Sequence, residues 1–294
     1  MIIVTGATGR LGRRVVERLL ERLPADQVGV SVREPAKARH LADRGVQVRR
    51  GDFAEPATLP GAFADAEQAL LVSSDRFGEE ALRLHRAAVS AAVRAGVGRV
   101  LYTSHQGAAA DSLFAAMPDH AATEEVLAEA GVPWTSLRNG FYASTVQQLV
   151  GRARETGELR APEDGPVSWT THDDLAEAAA IVLAEPGRFD GPTPPLTAGQ
   201  ALDLADVAAI LSESAGRAIR RVTVDDEDYV ADLVGHGMPE PHARAMLGVF
   251  LASRRGEFAV VDPTLRDLLG RPPRSVRDLL TASSHSSGQA AHTT

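Results

Sequence analysis

Three glycines at three-residue spacing, Gly6, Gly9 and Gly12, constrain this chain more than any other feature. They follow Ile2, Ile3 and Val4, an apolar β-branched run too short for a helix and suited to a buried strand. They precede residues 13–22, which read as a helix with a broad apolar face of Val15, Val16, Leu19, Leu20 and Leu23. Strand, glycine turn and helix open a βαβ unit of the dinucleotide-binding kind. Gly6 permits the tight turn, Gly9 lets the backbone approach a pyrophosphate, and Gly12 lets the helix pack on the strand. The helix N-terminus adds free N–H groups and a partial positive charge. Gly6, Thr8, Gly9, Arg10, Leu11 and Gly12 are therefore candidate cofactor contacts.

The same alternation continues along the first half of the chain. Strands are expected at 27–32, 46–48, 68–72, 98–103 and 134–137, and helices at 36–44, 59–63, 79–95 and 121–130, with a loop over 105–118. Such alternation implies an α/β fold, a Rossmann-type doubly wound parallel sheet covered on both faces. The second half is less regular. Helices are expected at 143–156, 173–185, 202–216, 226–235 and 241–254, short strands at 167–169 and 219–224, and a turn at 192–195. The expected organisation is a core over 1–140, with 170–200 returning to it, and a small, mainly helical substrate lobe from 141–169 and 201–282. Residues 283–294, rich in Ser, Ala and His, read as a disordered tail.

Bulk properties narrow the function. With 294 residues, 44% of them hydrophobic, the chain can bury a large core. No apolar run reaches the ~20 residues that span a bilayer. There is no cysteine, so disulfide and thiolate chemistry are excluded, and a cytoplasmic location is the expectation. The net charge of −8, with both signs well mixed and no basic stripe, argues against nucleic acid as the main partner. No residue cluster suggests a metal site. A homodimer is left open.

The ends of the strands are where ligands bind in such sheets. After the second strand, an NAD-specific site usually presents an acid to the ribose 2′-hydroxyl. Here Ser31 and Arg33 occupy that stretch, with Lys37 just beyond. Two cations favour a 2′-phosphate, so NADP(H) is the preferred cofactor. Glu34 could instead turn inward to a hydroxyl, which keeps NAD(H) as the second candidate. Asp52 and Phe53 would sit beside the adenine, and Ser73 and Ser74 close the fourth strand.

Several motifs together resemble the NmrA-like atypical short-chain dehydrogenase/reductases, and within them the NADPH:quinone oxidoreductases. They are residues 6–12, 32–37, Gly51-Asp-Phe53, Tyr102-Thr-Ser104, His120-Ala-Ala-Thr-Glu124, Leu137-Arg-Asn-Gly-Phe-Tyr142 and the closing Leu269-Gly-Arg-Pro-Pro-Arg-Ser-Val-Arg277, in family order over residues 1 to 282. The resemblance implies a Rossmann core, a small lobe over the nicotinamide end, and two-electron reduction of a quinone or polycyclic aromatic ketone. At or after the strand C-termini, or at a helix start facing that edge, and so near the nicotinamide, are Ser73, Ser74, Thr103, Ser104, His120, Asn139, Gly140, Phe141 and Tyr142. Of these, His120, Ser104 and Asn139 are the catalytic candidates and Thr103 a cofactor contact. His120 is the first choice of proton donor because His can titrate near neutrality. Phe141, Tyr142 and Trp169 are the candidates to stack on a small aromatic substrate.

Most short-chain dehydrogenases use a Tyr followed four residues later by a Lys. The sole lysine here is Lys37, so the pair cannot exist, and Arg cannot replace Lys as a proton relay. Two other outcomes fit the same pattern. One is a tailoring enzyme of aromatic polyketides, in which quinone reduction is followed by oxygen insertion without flavin or metal. The other is an NAD(P)-sensing regulator without catalysis.

Overall fold

The computed structural model describes residues 1–281, and the tail expected at 283–294 lies outside the described residues. The chain forms two units. The first holds Met1–Asp111, Ala116–Asn139 and His172–Leu196, and the second holds Ser112–Ala115, Gly140–Thr171 and the chain from Thr197 on.

The first unit is built on six strands, β1 (Ile2–Thr5), β2 (Val28–Val32), β3 (Gln47–Arg50), β4 (Gln68–Leu71), β5 (Arg99–His105) and β6 (Trp134–Asn139). With the two-residue strand Gly191–Pro192 they make one sheet, ordered β3-β2-β1-β4-β5-β6 and then Gly191–Pro192. Every pairing is parallel; Val4 faces Val30 on one side and Leu70 on the other. Each residue of β1, β2 and β5 is buried, as expected for strands covered on both faces. The chain reverses direction across the sheet at β1, and the crevice outside the strand ends there is the place for a ligand.

Helix α1 (Arg10–Leu20) buries Leu11, Val15, Val16 and Leu19. Between strands lie α2 (Arg39–Ala42), α3 (Leu59–Phe63), α4 (Gly78–Arg94) and α5 (Ala116–Ala128). Ile3, Phe63, Leu71, Val100, Tyr102 and Leu127 share one core cluster. Arg14 of α1 pairs with Asp173 at the start of the helix His172–Ala184, tying the two together.

Two boundaries differ from the sequence expectation in ways that matter. Helix α5 begins at Ala116, inside the expected loop, because Pro118 falls in its first turn, where a missing N–H is tolerated. His120 is thus within the helix rather than at its start. Strand β6 runs on through Arg138 and Asn139, since Ser104 and His105 extend β5 opposite them.

In the second unit the expected helix over 143–156 is broken at Gly151, whose φ of 43° ends Ser144–Val150 before Ala153–Thr156 begins. The strand Glu158–Ala161 was not expected; it pairs in parallel with Arg220–Thr223. Residues 167–169 form no strand, only an isolated bridge from Val167 to Leu202. Helices Leu204–Ala215, Asp226–Gly235, Glu240–Arg254 and Thr264–Leu269 supply the rest, the first held by a capping box of Asp203 and Asp206. No helix among the described residues is long and apolar enough to cross a membrane.

Candidate active site

A cleft of about 610 Å³ opens in the first unit at the ends of β1, β2, β3 and β4. Gly6, Thr8 and Gly9 form its floor. Gly6 has φ +61°, a conformation other residues rarely adopt, and a Cβ there would lie 3.1 Å from Val72. The Gly9 N–H donates to Gly6 O at 2.9 Å, closing the turn. A Cβ on Gly12 would sit 2.3 Å from Gly6 O, so only glycine lets α1 pack this closely. Gly12 and Leu11 are buried in that packing, and Arg10 is exposed at the first helical position; these three shape the floor without lining the cleft. The first turn of α1 carries no acidic side chain to offset its dipole.

On the β2 and β3 side, Arg33, Asp52 and Phe53 line the cleft. Arg33 is exposed and has no ion pair or side-chain hydrogen bond among the described residues. Asp52 Oδ1 accepts from the Ala54 N–H at 2.9 Å, which shapes the turn after β3. Lys37 stands outside the lining. Its Nζ lies 2.6 Å from Glu34 Oε1, with both side chains 64% exposed, so the rival ribose reader is engaged by the second cation. Ser31 and Gly51 also line the wall.

The β4 side is built differently. The Val72 N–H donates to Thr5 Oγ1 and the Ser73 N–H to Thr103 Oγ1, each at 2.9 Å. Thr103, 1% exposed, therefore holds Ser73 from behind the wall. The Ser74 N–H donates to His85 Nε2 at 3.0 Å, and His85 Nδ1 lies 2.9 Å from Thr123 Oγ1. Ser73 and Ser74 both line the cleft, and Ser74 Oγ is buried with no partner among the described residues. Arg76 also reaches the lining; only its place two residues past Ser74 signalled it in the sequence.

Behind this wall lie the catalytic candidates, none of them lining the cleft. His120 Nδ1 is 2.8 Å from the Tyr102 hydroxyl, and its ring stacks on His105 at 6.3 Å. Burial, reinforced by His85 and opposed by Glu124, lowers His120 to about 4. At neutral pH it is an uncharged imidazole that can offer a hydrogen bond, not the titrating acid its residue type suggested. Ser104 Oγ donates to Glu124 Oε1 at 2.8 Å, and Glu124 also takes Ser136 Oγ at 2.8 Å and Arg138 Nη2 at 2.6 Å. The Ser104 hydroxyl is thereby committed to a buried charge that needs all three donors. Asn139, 2% exposed, keeps its Oδ1 without a partner among the described residues.

The proposed substrate residues sit in the second unit. Phe141 and Trp169 are 7% and 3% exposed, with ring centroids 5.3 Å apart in an edge-to-face contact. Phe258 lies 5.0 Å from Phe141, and Trp169 Nε1 donates to Leu202 O at 3.1 Å. Both rings thus belong to an aromatic core. Tyr142 is half-buried, and its backbone bridges to Thr170.

The cleft fits a dinucleotide. It has a glycine floor at a helix N-terminus free of acids and, among the described residues, a partnerless arginine at the β2 end and an orphan buried hydroxyl at the β4 end. Comparison with known proteins agrees. A model of the NmrA-like family matches residues 1–269. The NAD(P)H azoreductase of Xenophilus azovorans is 34% identical over 292 residues, covering 99% of this chain and all of its own length. The crystal structure of the NADPH-dependent quinone oxidoreductase QOR2 from Escherichia coli, complexed with NADPH, superposes with TM-score 0.90 at 33% identity, covering 96% of this chain and 99% of that one. The Citrobacter sp. triphenylmethane reductase, complexed with NADP(H), gives TM-score 0.89 at 33% identity over 96% of this chain and 99% of its own.

Proposed function

The chain belongs to the NmrA-like family, and from that premise we propose that it is an NADPH-dependent reductase of quinones and related extended aromatic acceptors. The observation that carries this is the cleft itself, in which a glycine floor, Arg33 and Ser74 offer polar partners along the length of a dinucleotide. NADPH, when bound, supplies the hydride. The glycine loop and the start of α1 hold the pyrophosphate, and Arg33 supplies a charge-assisted contact to the 2′-phosphate. The relatives named for azo, quinone and triphenylmethane substrates support an acceptor that is conjugated and electron-poor.

The protein side supports the same acceptors. Its one lysine is at the adenosine end in a surface pair with Glu34, and His120 beside Tyr102 is neutral at pH 7. Neither group delivers a proton strongly. A quinone tolerates this, because the hydroquinone anion spreads its charge over the ring until solvent protonates it. The test is NADPH oxidation under anaerobic conditions with a quinone panel. We expect one NADPH consumed per quinone reduced. Tight NADPH binding without turnover of any acceptor would favour the sensing role, and turnover only in the presence of oxygen would favour the oxygenase.

A further inference from the structure

The loop between β4 and α4 gives the cleft Val72, Ser73, Ser74, Asp75 and Arg76. It is pinned at both ends to α5. At one end the Ser74 N–H reaches α5 through His85 and Thr123; at the other the Gly78 N–H donates to Asp119 Oδ2 at 2.7 Å. We propose, on the reading of the cleft as a cofactor site that Ser74 Oγ contacts, that His85 is the positioning residue that sets Ser74 for the bound dinucleotide.

Thr123 Oγ1 donates its one hydrogen to Asp119 O at 2.7 Å, so toward His85 it accepts. His85 Nδ1 therefore carries the proton, and Nε2 keeps the lone pair that takes the Ser74 N–H. This needs a neutral ring, since a protonated Nε2 would face the Ser74 donor with another donor. Burial supplies that condition: His85 is 4% exposed and is lowered to about 4. Tyr102 packs edge-on at 5.4 Å and fixes the ring plane. The backbone of Ser74 is thus locked while its hydroxyl, buried in the cleft wall, has no partner among the described residues. A buried hydroxyl left unsatisfied is unfavourable, and a bound ligand removes the penalty.

The sheet order says which part of the ligand this serves. β4 and β2 flank β1 on opposite sides, and the 2′-phosphate belongs to the β2 end where Arg33 stands. Ser74 therefore meets a portion common to NADPH and NADH, and His85 governs affinity for both alike.

The test compares wild type with His85→Leu, His85→Gln, Ser74→Ala and the His85→Leu/Ser74→Ala double variant, by dissociation constants for NADPH and NADH and by steady-state kinetics. His85→Leu is expected to weaken both dinucleotides by the same factor, about tenfold for one lost hydrogen bond. KM for NADPH should rise while kcat at saturation stays near wild type, as for lost uniform binding. His85→Gln should restore affinity, because its side-chain oxygen can accept from Ser74. The double variant should be no weaker than the weaker single one, since His85 acts through a hydroxyl already removed. Additive losses, a loss confined to NADPH, or Ser74→Ala binding like wild type would each overturn the assignment. The Ser74→Ala arm stands even if His85→Leu fails to fold. Wild type that binds neither dinucleotide would instead overturn the cofactor site itself, and this proposal with it.

Discussion

On the β2 side of the glycine loop, Arg33 is exposed and partnerless among the described residues, and Lys37 and Glu34 pair loosely in solvent. On the β4 side, Thr5, Thr103 and His85 fix the loop backbone through partly buried hydrogen bonds, and Thr123 holds His85 through a buried one. The loose rim must order its side chains when a ligand arrives, and its identity can change without disturbing the fold. The fixed rim has that ordering built in. From this contrast we propose a division of labour, in which the β2 rim chooses between cofactors and the β4 rim holds whichever is chosen.

Gly9→Val attacks the floor that both rims share and should have the largest effect. Gly9 has φ −83°, which any residue can adopt, but a Cβ would lie a tight 3.2 Å from Gly6 O, so the fold of the variant is checked by circular dichroism before binding is read. The side chain would fill the pyrophosphate's space, and binding of both dinucleotides should fall by about a thousandfold or more, ~4 kcal/mol. A folded variant that binds normally would show that the floor is not the phosphate site.

Acid separates the rims next. His85 is held near 4 in the folded chain against an ordinary 6.5, so the unfolded chain binds the extra proton between those values. Stability is then complete above pH 6.5 and falls as pH drops toward 4, by about 3 kcal/mol for His85 alone. His105 and His120 are shifted by burial in the same direction and steepen the loss. Denaturant titrations from pH 7.5 to 4.5 check this, and His85→Gln should flatten the profile.

Arg33→Ala should weaken NADPH by roughly tenfold, leaving NADH nearly unchanged. Equal losses for the two cofactors would break the division of labour. Lys37→Ala should be the smallest change, below about twofold, because it removes only an exposed ion pair. A large NADPH-specific loss there would mean that Lys37 leaves Glu34 to join the phosphate.

The two rims also differed in how well the sequence showed them. Gly6, Gly9, Gly12 and Arg33 are local: a strand, a turn and the strand's own end are enough to place them, and the parallel sheet follows from the same alternation. Ser73 and Ser74 could be placed at a strand end, but not what holds them. His85 lies 11 residues from Ser74 and 38 from Thr123, and nothing in either local pattern marks the contact. Ser104 reads as available in the sequence, whereas in the fold Glu124, 20 residues on, takes its hydroxyl. His120 looked like a titrating acid because residue type carries an ordinary pKa, whereas burial beside Tyr102 and His105 is a property of the folded chain. Trp169 and Phe141 read as candidates to stack on a substrate because the sequence does not show that Phe258 joins them in one core.

On the proposed function, this site passes hydride to acceptors that need little help from an acid. That function is tested most directly by anaerobic turnover at saturating NADPH across quinones of decreasing reduction potential, ending with an unactivated aliphatic ketone. Fast reduction of the strongest quinones, a steady fall along the series and no measurable reduction of the ketone are expected. Efficient turnover of the ketone would contradict the proposed function, because that reaction requires a strong proton donor that neither Lys37 nor neutral His120 provides.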